Sequence, residues 1–460
     1  MTDYLIKHAT IVTMNPEKEI LHDGAIAIAK DRIAELGATD VLEEKYMDAA
    51  VIIEAGGKIV FPGLINTHVH SFQNLLMGLE SDSTLEHWLA RVISPSVAAI
   101  QGEELYAGAV LSALEAVRSG TTTVLDYQYV QHQDGLNDWA IRGYRDVGLR
   151  LFCGRGYADT GLEFGANPEE LETLDEIRHR VTDLCRRYPQ EEGALVRIAL
   201  APSAVWMCSP ECLRWTSEFA RENGLLVTAH IAETPYDNQC SRTLHGYGDF
   251  EACEKYGLIG KNMLMVHCVQ LTREEVERAA KENASYSYNP VSNMYLASGS
   301  PPVAWFKQEG LNGSLGTDGA ASNNTNDLLE TLKAGILLAK ADSRDPGILS
   351  ATEALAMATC DGARALGMDA EIGSLEPGKQ ADLFILDPAR SARSAPCHDP
   401  VATLAYSADS RSVEMVMVAG RPVLWDGELL TGNEQEWIQA GIRAGKQLAE
   451  RMNRNQETDS

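Results

Sequence analysis

The chain has 460 residues, of which 45% are apolar and 23% charged, and its formal net charge at pH 7 is −27. This composition is ordinary for a globular protein, and the length allows one large domain together with a smaller one. The strong negative charge argues against binding to nucleic acid or to anionic membrane surfaces, because both require a basic face.

The cysteines and the start of the chain indicate the compartment. Nine cysteines are scattered without a C-x-x-C pair, which is typical of reduced thiols rather than of a disulfide framework. The first residues lack a basic segment followed by an apolar run, and no stretch approaches about 18 uninterrupted apolar residues. We therefore expect a cytoplasmic protein that binds neither nucleic acid nor membrane.

The first 60 residues have the pattern of short strands and turns, with alternation over residues 4–13 and an apolar run over residues 24–29. From residue 61 apolar strands alternate with charge-rich helical stretches, as in βα units with a parallel sheet. Eight strands are expected, ending near His70, Asp126, Gly154, Pro202, His230, His267, Asn289 and Asp318. Eight βα units that close on themselves form a (β/α)8 TIM barrel, an α/β fold.

The chain after the barrel returns to strand and turn patterns. A helix is expected over residues 351–366, strands within residues 372–386 and 413–424, and a last helix over residues 435–452. We expect both termini to build a small β-sandwich from residues 1–60 and 370–430. Residues 61–369 would form the catalytic barrel, and residues 431–460 a C-terminal helix and tail.

Residues of the metal-ligand type occupy four of the predicted strand ends. His68 and His70 point the same way, because residues i and i+2 share one face of a strand. His230, His267 and Asp318 follow at the ends of later strands. Any one of them could be a polar residue without function, but the whole set at the catalytic end of a barrel is rare by chance. Imidazole and carboxylate ligands suit Zn²⁺ or Fe²⁺ in an open catalytic site.

Six motifs then appear in order along nearly the whole chain. They are PGLINTHVH at 62–70, HIAE at 230–233, HCV at 267–269, NPVSNMYLASG at 289–299, LGTDGAASNN at 315–324 and GSLEPGKQADL at 373–383. With them the sequence resembles the amidohydrolase superfamily, and within it the branch of metal-dependent deaminases and chlorohydrolases. The resemblance implies the barrel and sandwich, one divalent metal ion per chain, Zn²⁺ ahead of Fe²⁺, and a homo-oligomer, either a dimer or a tetramer.

The lysines favour one metal ion over two. Relatives with two ions often bridge them with a carbamylated lysine after the fourth strand. This chain has no lysine between Lys58 and Lys255, a stretch that contains strands two to five. A lysine bridge is therefore impossible, although a bridging glutamate or cysteine stays open.

The resemblance also suggests which residues act in catalysis. His68, His70, His230 and Asp318 match the metal ligands, and His267 is an additional candidate ligand. A metal ion lowers the pKa of its water toward neutrality, and Asp318 can accept the proton. Glu233 resembles the proton shuttle that protonates a ring nitrogen, and His267 would stabilise the developing charge. The alternative for Glu233 is a solvated loop carboxylate.

Substrate-binding residues are harder to identify. Asn289, Ser292, Asn293 and Ser322 follow strands seven and eight, where they could bond to a ring or simply shape the turns. Trp88 could stack on a planar substrate or lie buried in a helix. Arg155, within Gly154-Arg155-Gly156, matches a nucleoside-binding residue of the nucleoside deaminases in this branch.

Two other features of nucleoside deaminases are missing. Val97 stands where their ribose-binding glutamate would be, and Ser203 stands where they carry a histidine. Polar pockets depend on such hydrogen bonds for specificity. We therefore expect a smaller or less polar substrate, an amino- or chloro-substituted nitrogen heterocycle such as an s-triazine, a pterin or a purine-like ring. The product would be ammonia, an amine or chloride.

Three alternatives remain open. The first is a nucleoside deaminase of the S-adenosylhomocysteine/methylthioadenosine type. The second is a non-catalytic metal-binding barrel, which would need neither Glu233 nor His267. The third is a cyclic-amide hydrolase, which is disfavoured by the absent lysine.

Overall fold

The computed structural model describes residues 2–458, with side chains as far as residue 454. The N-terminal segment contains β1 (Tyr4–Val12), β2 (Ile20–Ala29), β3 (Arg32–Ala38), α1 (Thr39–Lys45), β4 (Val51–Glu54) and β5 (Ile59–Pro62). Only Gly63 separates β5 from the first barrel strand. A Cβ at this position would lie 2.1 Å from Oγ1 of Thr122, so the close approach of the two chains requires glycine.

Eight parallel strands form the barrel, each hydrogen-bonded to the next in chain order. They are β6 (Leu64–Val69), β7 (Thr121–Gln128), β8 (Arg150–Tyr157), β9 (Val196–Pro202), β10 (Val227–Ile231), β11 (Met263–His267), β12 (Ser285–Tyr288) and β13 (Asn312–Leu315). The Asn66 amide donates to Oγ1 of Thr317 over 2.8 Å, and the Asp318 N–H donates to the His68 carbonyl over 2.9 Å. These bonds join the last strand region to the first, and the predicted TIM barrel is confirmed.

Helices surround the barrel. After β6, α2 (Leu85–Trp88) and α3 (Ser94–Ala99) flank a π-helical turn, Leu89–Ile93. Capping boxes begin several of the others, for example Thr173 with Glu176 at the helix after β8. These others are α4 (Gly102–Arg118), α5 (Leu136–Val147), α6 (Leu174–Arg187), α7 (Pro210–Asn223), α8 (Pro235–His245), α9 (Asp249–Lys255), α10 (Arg273–Lys281), α11 (Pro290–Tyr295), α12 (Val303–Glu309), α13 (Leu328–Ser343), α14 (Ala351–Met357) and α15 (Cys360–Ala365).

The chain then returns to the first sheet with β14 (Leu383–Leu386), α16 (Pro400–Tyr406), β15 (Val413–Val418), β16 (Arg421–Trp425) and β17 (Glu428–Leu429). β14 pairs antiparallel with β5, which gives the order β17-β16-β15-β14-β5-β1-β2-β3, with β4 beside β1. Both termini therefore build the second sheet, as predicted. β5 and β14 join edge to edge, so the strands of the predicted β-sandwich are hydrogen-bonded into one continuous mixed sheet.

The last helix, α17 (Glu434–Thr458), extends beyond the predicted range at both ends. It packs against α3 and α4, where Arg451 pairs with Glu104 and donates to the Ala99 carbonyl over 2.8 Å. Leu448 is fully buried in this contact. Among the helices of residues 2–458, none combines the length and the apolarity needed to cross a bilayer.

Candidate active site

The metal-type ligands meet at the carboxyl end of the barrel. His68 lies in β6 and His70 just beyond it, His230 lies in β10, His267 ends β11, and Asp318 follows β13. Oδ1 of Asp318 lies 3.3 Å from Nε2 of both His68 and His70. Nε2 of His230 also lies 3.3 Å from Nε2 of His70. Ligands held about 2.0–2.1 Å from a tetrahedral ion are separated by roughly such distances, so these four side chains fit one cation.

The surroundings of His70 and His230 leave both Nε2 lone pairs free. Nδ1 of His70 lies 2.8 Å from the carbonyl oxygen of Tyr127, and Nδ1 of His230 lies 2.7 Å from that of Ser203. A carbonyl oxygen can only accept, so each Nδ1 carries the proton. Burial lowers the pKa of both histidines, which keeps the rings in the neutral form that binds metal.

His68 and Asp318 supply the other two ligand atoms. Both ring nitrogens of His68 are buried and make no hydrogen bond within the described residues, and burial lowers its pKa to about 4. Buried polar atoms are normally satisfied, so an unpartnered imidazole in contact with a carboxylate fits a metal ligand. Burial alone would raise the pKa of Asp318, but interaction with His68 and the other histidines holds it well below its usual range.

Two serines hold Asp318 in position. The hydroxyl of Ser292 donates to Oδ2 of Asp318 over 2.6 Å, and Oγ of Ser322 lies 3.2 Å from that hydroxyl. The N–H of Gly319 donates to Oδ1 over 2.7 Å. Asp318 itself has φ of +66°, a conformation that non-glycine residues adopt rarely and that clusters at functional sites. The hydroxyls of Ser292 and Ser322 therefore position Asp318, the candidate metal ligand.

Glu233 lies in the turn after β10, and its position depends on Asp249. Oδ2 of Asp249 accepts the N–H of Ala232 over 2.8 Å, where the backbone has φ of +50°. The hydroxyl of Ser298 donates to Oε1 of Glu233 over 2.9 Å. Burial raises the pKa of Glu233 to about 8, so its carboxyl holds a proton at neutral pH. A protonated carboxyl beside a metal site can act as a general acid.

His267 has surroundings that differ from those of the other histidines. Nδ1 of His267 lies 3.1 Å from the amide nitrogen of Asn293, which can only donate. Nδ1 therefore accepts, and in the neutral ring the proton lies on Nε2. That Nε2 lies 3.4 Å from Oε2 of Glu233 and 3.9 Å from Oδ2 of Asp318. Burial lowers the pKa of His267, which favours this neutral ring. His267 thus directs an N–H toward the carboxyl groups of Glu233 and Asp318.

A cavity is lined at its base by His70, His230, Glu233, His267 and Asp318. Its empty volume is about 1170 Å³, including the part that opens to solvent. Its walls are mostly aromatic and aliphatic, with Trp88, Tyr129, Phe164, Trp206, Met207 and Tyr236 among them. Five carboxylates and neither lysine nor arginine line the cavity within the described part of the chain. The cavity therefore suits a flat, uncharged or cationic molecule.

The predicted substrate-binding residues divide into two groups. Trp88 and Ser322 line the cavity. Asn289, Ser292 and Asn293 lie behind it, where they contact His267 or Asp318.

Arg155 is fully buried outside the cavity wall and forms a two-pronged ion pair with Glu172. Its guanidinium supports the loop after β8 and does not face the cavity, which corrects the expectation that it contacts substrate.

Several residues at the site were not singled out from the sequence. Asp126 accepts the N–H and hydroxyl of Ser71 over 2.9 and 2.6 Å, which fixes the turn after His70. Asp126 ends a predicted strand, and that position was the available signal. Tyr129, Asp249 and Glu170 had no such signal, because their contribution depends on loop geometry.

Comparisons with known proteins identify a family and several similar enzymes. The profile of the amidohydrolase family matches residues 59–423. A 5'-deoxyadenosine deaminase from Methanothermobacter thermautotrophicus is 36% identical over 92% of this chain and 95% of its own length. A 5-methylthioadenosine/S-adenosylhomocysteine deaminase from Symbiobacterium thermophilum is 34% identical over 93% of this chain and 94% of its own.

Solved structures give a matching result. An adenosine deaminase from Xanthomonas campestris with bound zinc superposes with a TM-score of 0.90 and 28% identity, covering 97% of this chain and 98% of its own. Atrazine chlorohydrolase from Arthrobacter aurescens, complexed with zinc, gives a TM-score of 0.90 and 25% identity over 96% of this chain and 100% of its own. With its profile matched over most of its length, the chain belongs to the amidohydrolase family.

Proposed function

We propose that the protein is a metal-dependent hydrolase that adds water to a ring carbon of an amino- or chloro-substituted nitrogen heterocycle. Ammonia, an amine or chloride is the product released. The observation that carries this proposal is the convergence of three imidazole nitrogens and Asp318 beside the buried carboxyl of Glu233. The names of the relatives, which are deaminases of nucleosides and a chlorohydrolase of a triazine, support the same reaction class.

His68, His70, His230 and Asp318 are the proposed ligands of one divalent cation, Zn²⁺ ahead of Fe²⁺. The donor set and its spacing support this choice, and two of the solved neighbours hold zinc. A cation bound here supplies Lewis acidity and an acidified water. His267 is assigned outside the coordination sphere, because the Asn293 amide leaves its proton on the nitrogen that faces the site.

The protein's own groups then move protons. Glu233, protonated at neutral pH and held by Ser298, donates its proton to the ring nitrogen of the substrate, which makes the neighbouring carbon electrophilic. Asp318 accepts the proton that the attacking water loses and passes it to the amino group, which then departs as ammonia or an amine. The N–H of His267 stabilises the charge that develops at the attacked carbon.

The cavity supports a neutral heterocycle as substrate, with an s-triazine, a pterin or a purine-like ring as the candidates. Val97 is fully buried in α3 and offers no group to a sugar, and the Ser203 carbonyl is occupied by His230. The aromatic walls provide stacking surfaces for a planar ring. Nucleoside deamination is the second candidate function, and the two deaminase relatives favour it.

The test is a screen of purified, metal-loaded protein against amino-, alkylamino- and chloro-triazines, pterins, purine bases and adenosine-type nucleosides. Ammonia, amine and chloride are the products to be measured. Glu233→Gln is expected to lower kcat by about 10²–10⁴-fold with its metal content unchanged. A non-catalytic barrel predicts no turnover by the unaltered protein and no effect of this substitution on ligand binding.

A further inference from the structure

Glu170 lies in the loop after β8, at the end of a short 3-10 turn, Pro168–Glu170, and it lines the catalytic cavity. The loop is tied down on its other side, since the Asn167 amide donates to the Ser94 carbonyl over 2.7 Å. Asn167 also caps the turn by accepting the N–H of Glu169 over 3.0 Å. The backbone that carries Glu170 is therefore fixed against the start of α3.

The other carboxylates of the cavity have other roles. Asp318 and Glu233 belong to the catalytic group. Asp237 accepts the N–H and hydroxyl of Thr234 and the indole N–H of Trp206.

Glu86 is the fourth of these cavity carboxylates, and it is exposed to solvent at the rim. Glu170 differs from all four. It is partly buried, and within residues 2–454 its carboxylate makes no hydrogen bond and no ion pair. A partly buried acceptor that faces a ligand cavity without a protein partner is available to a donor on the ligand. Burial raises the pKa of Glu170 to about 7, which agrees with the lack of a partner.

We infer that Glu170 is a substrate-recognition residue whose carboxylate accepts hydrogen bonds from O–H or N–H donors on the part of the heterocyclic substrate away from the metal. This inference rests on the proposed function and deepens it. With four further carboxylates and no lysine or arginine around it, the same pocket disfavours substrates that carry a carboxylate or phosphate. Nucleoside deaminases bind ribose with a glutamate at the position of Val97. Glu170 would supply from a different loop the carboxylate that is missing there.

The donor could be the hydroxyl pair of a sugar or an exocyclic N–H of the ring, and suitable substrates separate the two. The panel is adenosine, 2',3'-dideoxyadenosine, adenine, and a diaminotriazine with its N,N-dialkylated counterpart. Each ligand is titrated calorimetrically into metal-loaded protein carrying Glu233→Gln, in which turnover is suppressed. The dissociation constants are compared with and without Glu170→Gln, and with Glu170→Ala as a second variant. Glu169→Gln is the matched control, because Glu169 is the adjacent carboxylate and is exposed outside the cavity.

Loss of a hydrogen bond to a charged acceptor is expected to weaken donor-bearing ligands about 10- to 100-fold in the Glu170 variants. Ligands without the donor should change less than about threefold, as should every ligand in Glu169→Gln. A loss confined to adenosine identifies the sugar hydroxyls, and a loss confined to the diaminotriazine identifies the exocyclic N–H.

Equal effects on a ligand and on its counterpart that lacks the donor under test, or no effect at all, would overturn the inference. Turnover of a heterocycle by the unaltered protein would still support the proposed function in that case. Binding that depends on Glu170 without any turnover would overturn the proposed function alone. No binding by any member of the panel would overturn the inference, and turnover of a heterocycle by the unaltered protein would still support the proposed function.

Discussion

Nε2 of His267 lies 3.4 Å from Oε2 of Glu233. The amide nitrogen of Asn293 lies 3.1 Å from Nδ1 on the opposite side of the ring, and as a donor it favours the tautomer with the proton on Nε2. His267 is thereby a donor, whereas His70 and His230, with carbonyl oxygens at Nδ1, present lone pairs. Histidines at the ends of neighbouring strands thus differ in chemistry because of what lies behind them.

The first prediction separates these two kinds of histidine. His267→Asn should retain about one metal ion per chain and lose about 10²-fold or more in kcat, because a charge-stabilising N–H is removed. His230→Asn should lose the metal ion, because a ligand is removed. Elemental analysis of dialysed protein and steady-state kinetics measure the two effects. Metal loss in His267→Asn equal to that in His230→Asn would make His267 a ligand.

The second prediction concerns Asp249, which holds the turn between His230 and Glu233 through the Ala232 N–H and also accepts the Ser241 hydroxyl. In Asp249→Asn one of the two buried donors loses its acceptor, which should cost about 1–3 kcal/mol of unfolding free energy. We also expect a fall of about tenfold in kcat with the metal retained, since misplacement of the proton donor weakens catalysis.

Urea unfolding and kinetics test this expectation for Asp249. Glu251→Gln, which alters an exposed acid in the same helix, serves as the control. A stable Asp249→Asn protein with full activity would show that the turn holds its shape without this carboxylate.

The third prediction is a pH dependence of stability. Burial raises the pKa of Glu170 from an ordinary 4.5 to about 7, so the folded protein binds this proton more tightly than the unfolded chain does. The ionised carboxylate therefore destabilises the fold above pH 7, and the penalty disappears below about pH 4.5, where both states are protonated. Glu170→Gln should accordingly raise the Tm of the ligand-free protein at pH 8.

Differential scanning fluorimetry between pH 4 and 8 measures this effect. The gain in Tm should shrink as the pH falls through 7 and vanish near pH 4, and Glu169→Gln should show no such trend. A gain of the same size at both ends of the pH range would show that it does not come from ionisation of Glu170.

The fourth prediction concerns the junction between the two sheets. The guanidinium of Arg150 at the start of β8 bonds to both carboxylate oxygens of Asp382 over 3.1–3.2 Å, and both side chains are buried. Asp382 also accepts the Ala419 N–H over 2.7 Å. Arg150→Ala leaves a buried carboxylate without its counter-charge, which should cost about 3–5 kcal/mol.

Denaturant unfolding of Arg150→Ala provides the measurement. Arg142→Ala removes an exposed ion pair with Asp146 and should cost less than about 1 kcal/mol. Equal costs for the two variants would mean that the buried pair contributes no more than a surface one.

The fold and the ligand set could be predicted because both follow from regular patterns. Parallel strands place their carboxyl ends at one edge, so the metal-type residues His68, His70, His230, His267 and Asp318 were expected together from their strand-end positions. Glu170 could not be predicted in this way. Glu169, Glu170 and Glu172 lie within four residues, yet the first is exposed, the second faces the cavity and the third pairs with Arg155.

No periodicity distinguishes three acids in an irregular loop, because their directions depend on the turn that Asn167 caps. The domain limits at residues 60 and 370, the cytoplasmic location and the homo-oligomer stay predictions. The roles proposed for individual side chains await the experiments above.

The pairing of β5 with β14 has a consequence for how the protein matures. β5 leads directly into β6, the strand that carries His68, and its own hydrogen-bonding partner Leu383–Leu386 follows the whole barrel in the chain. Chains are synthesised at about 5–20 residues per second, and N-terminal segments emerge first. The strand that leads into the candidate metal site therefore stays unpaired on one edge until the chain beyond the barrel has been synthesised.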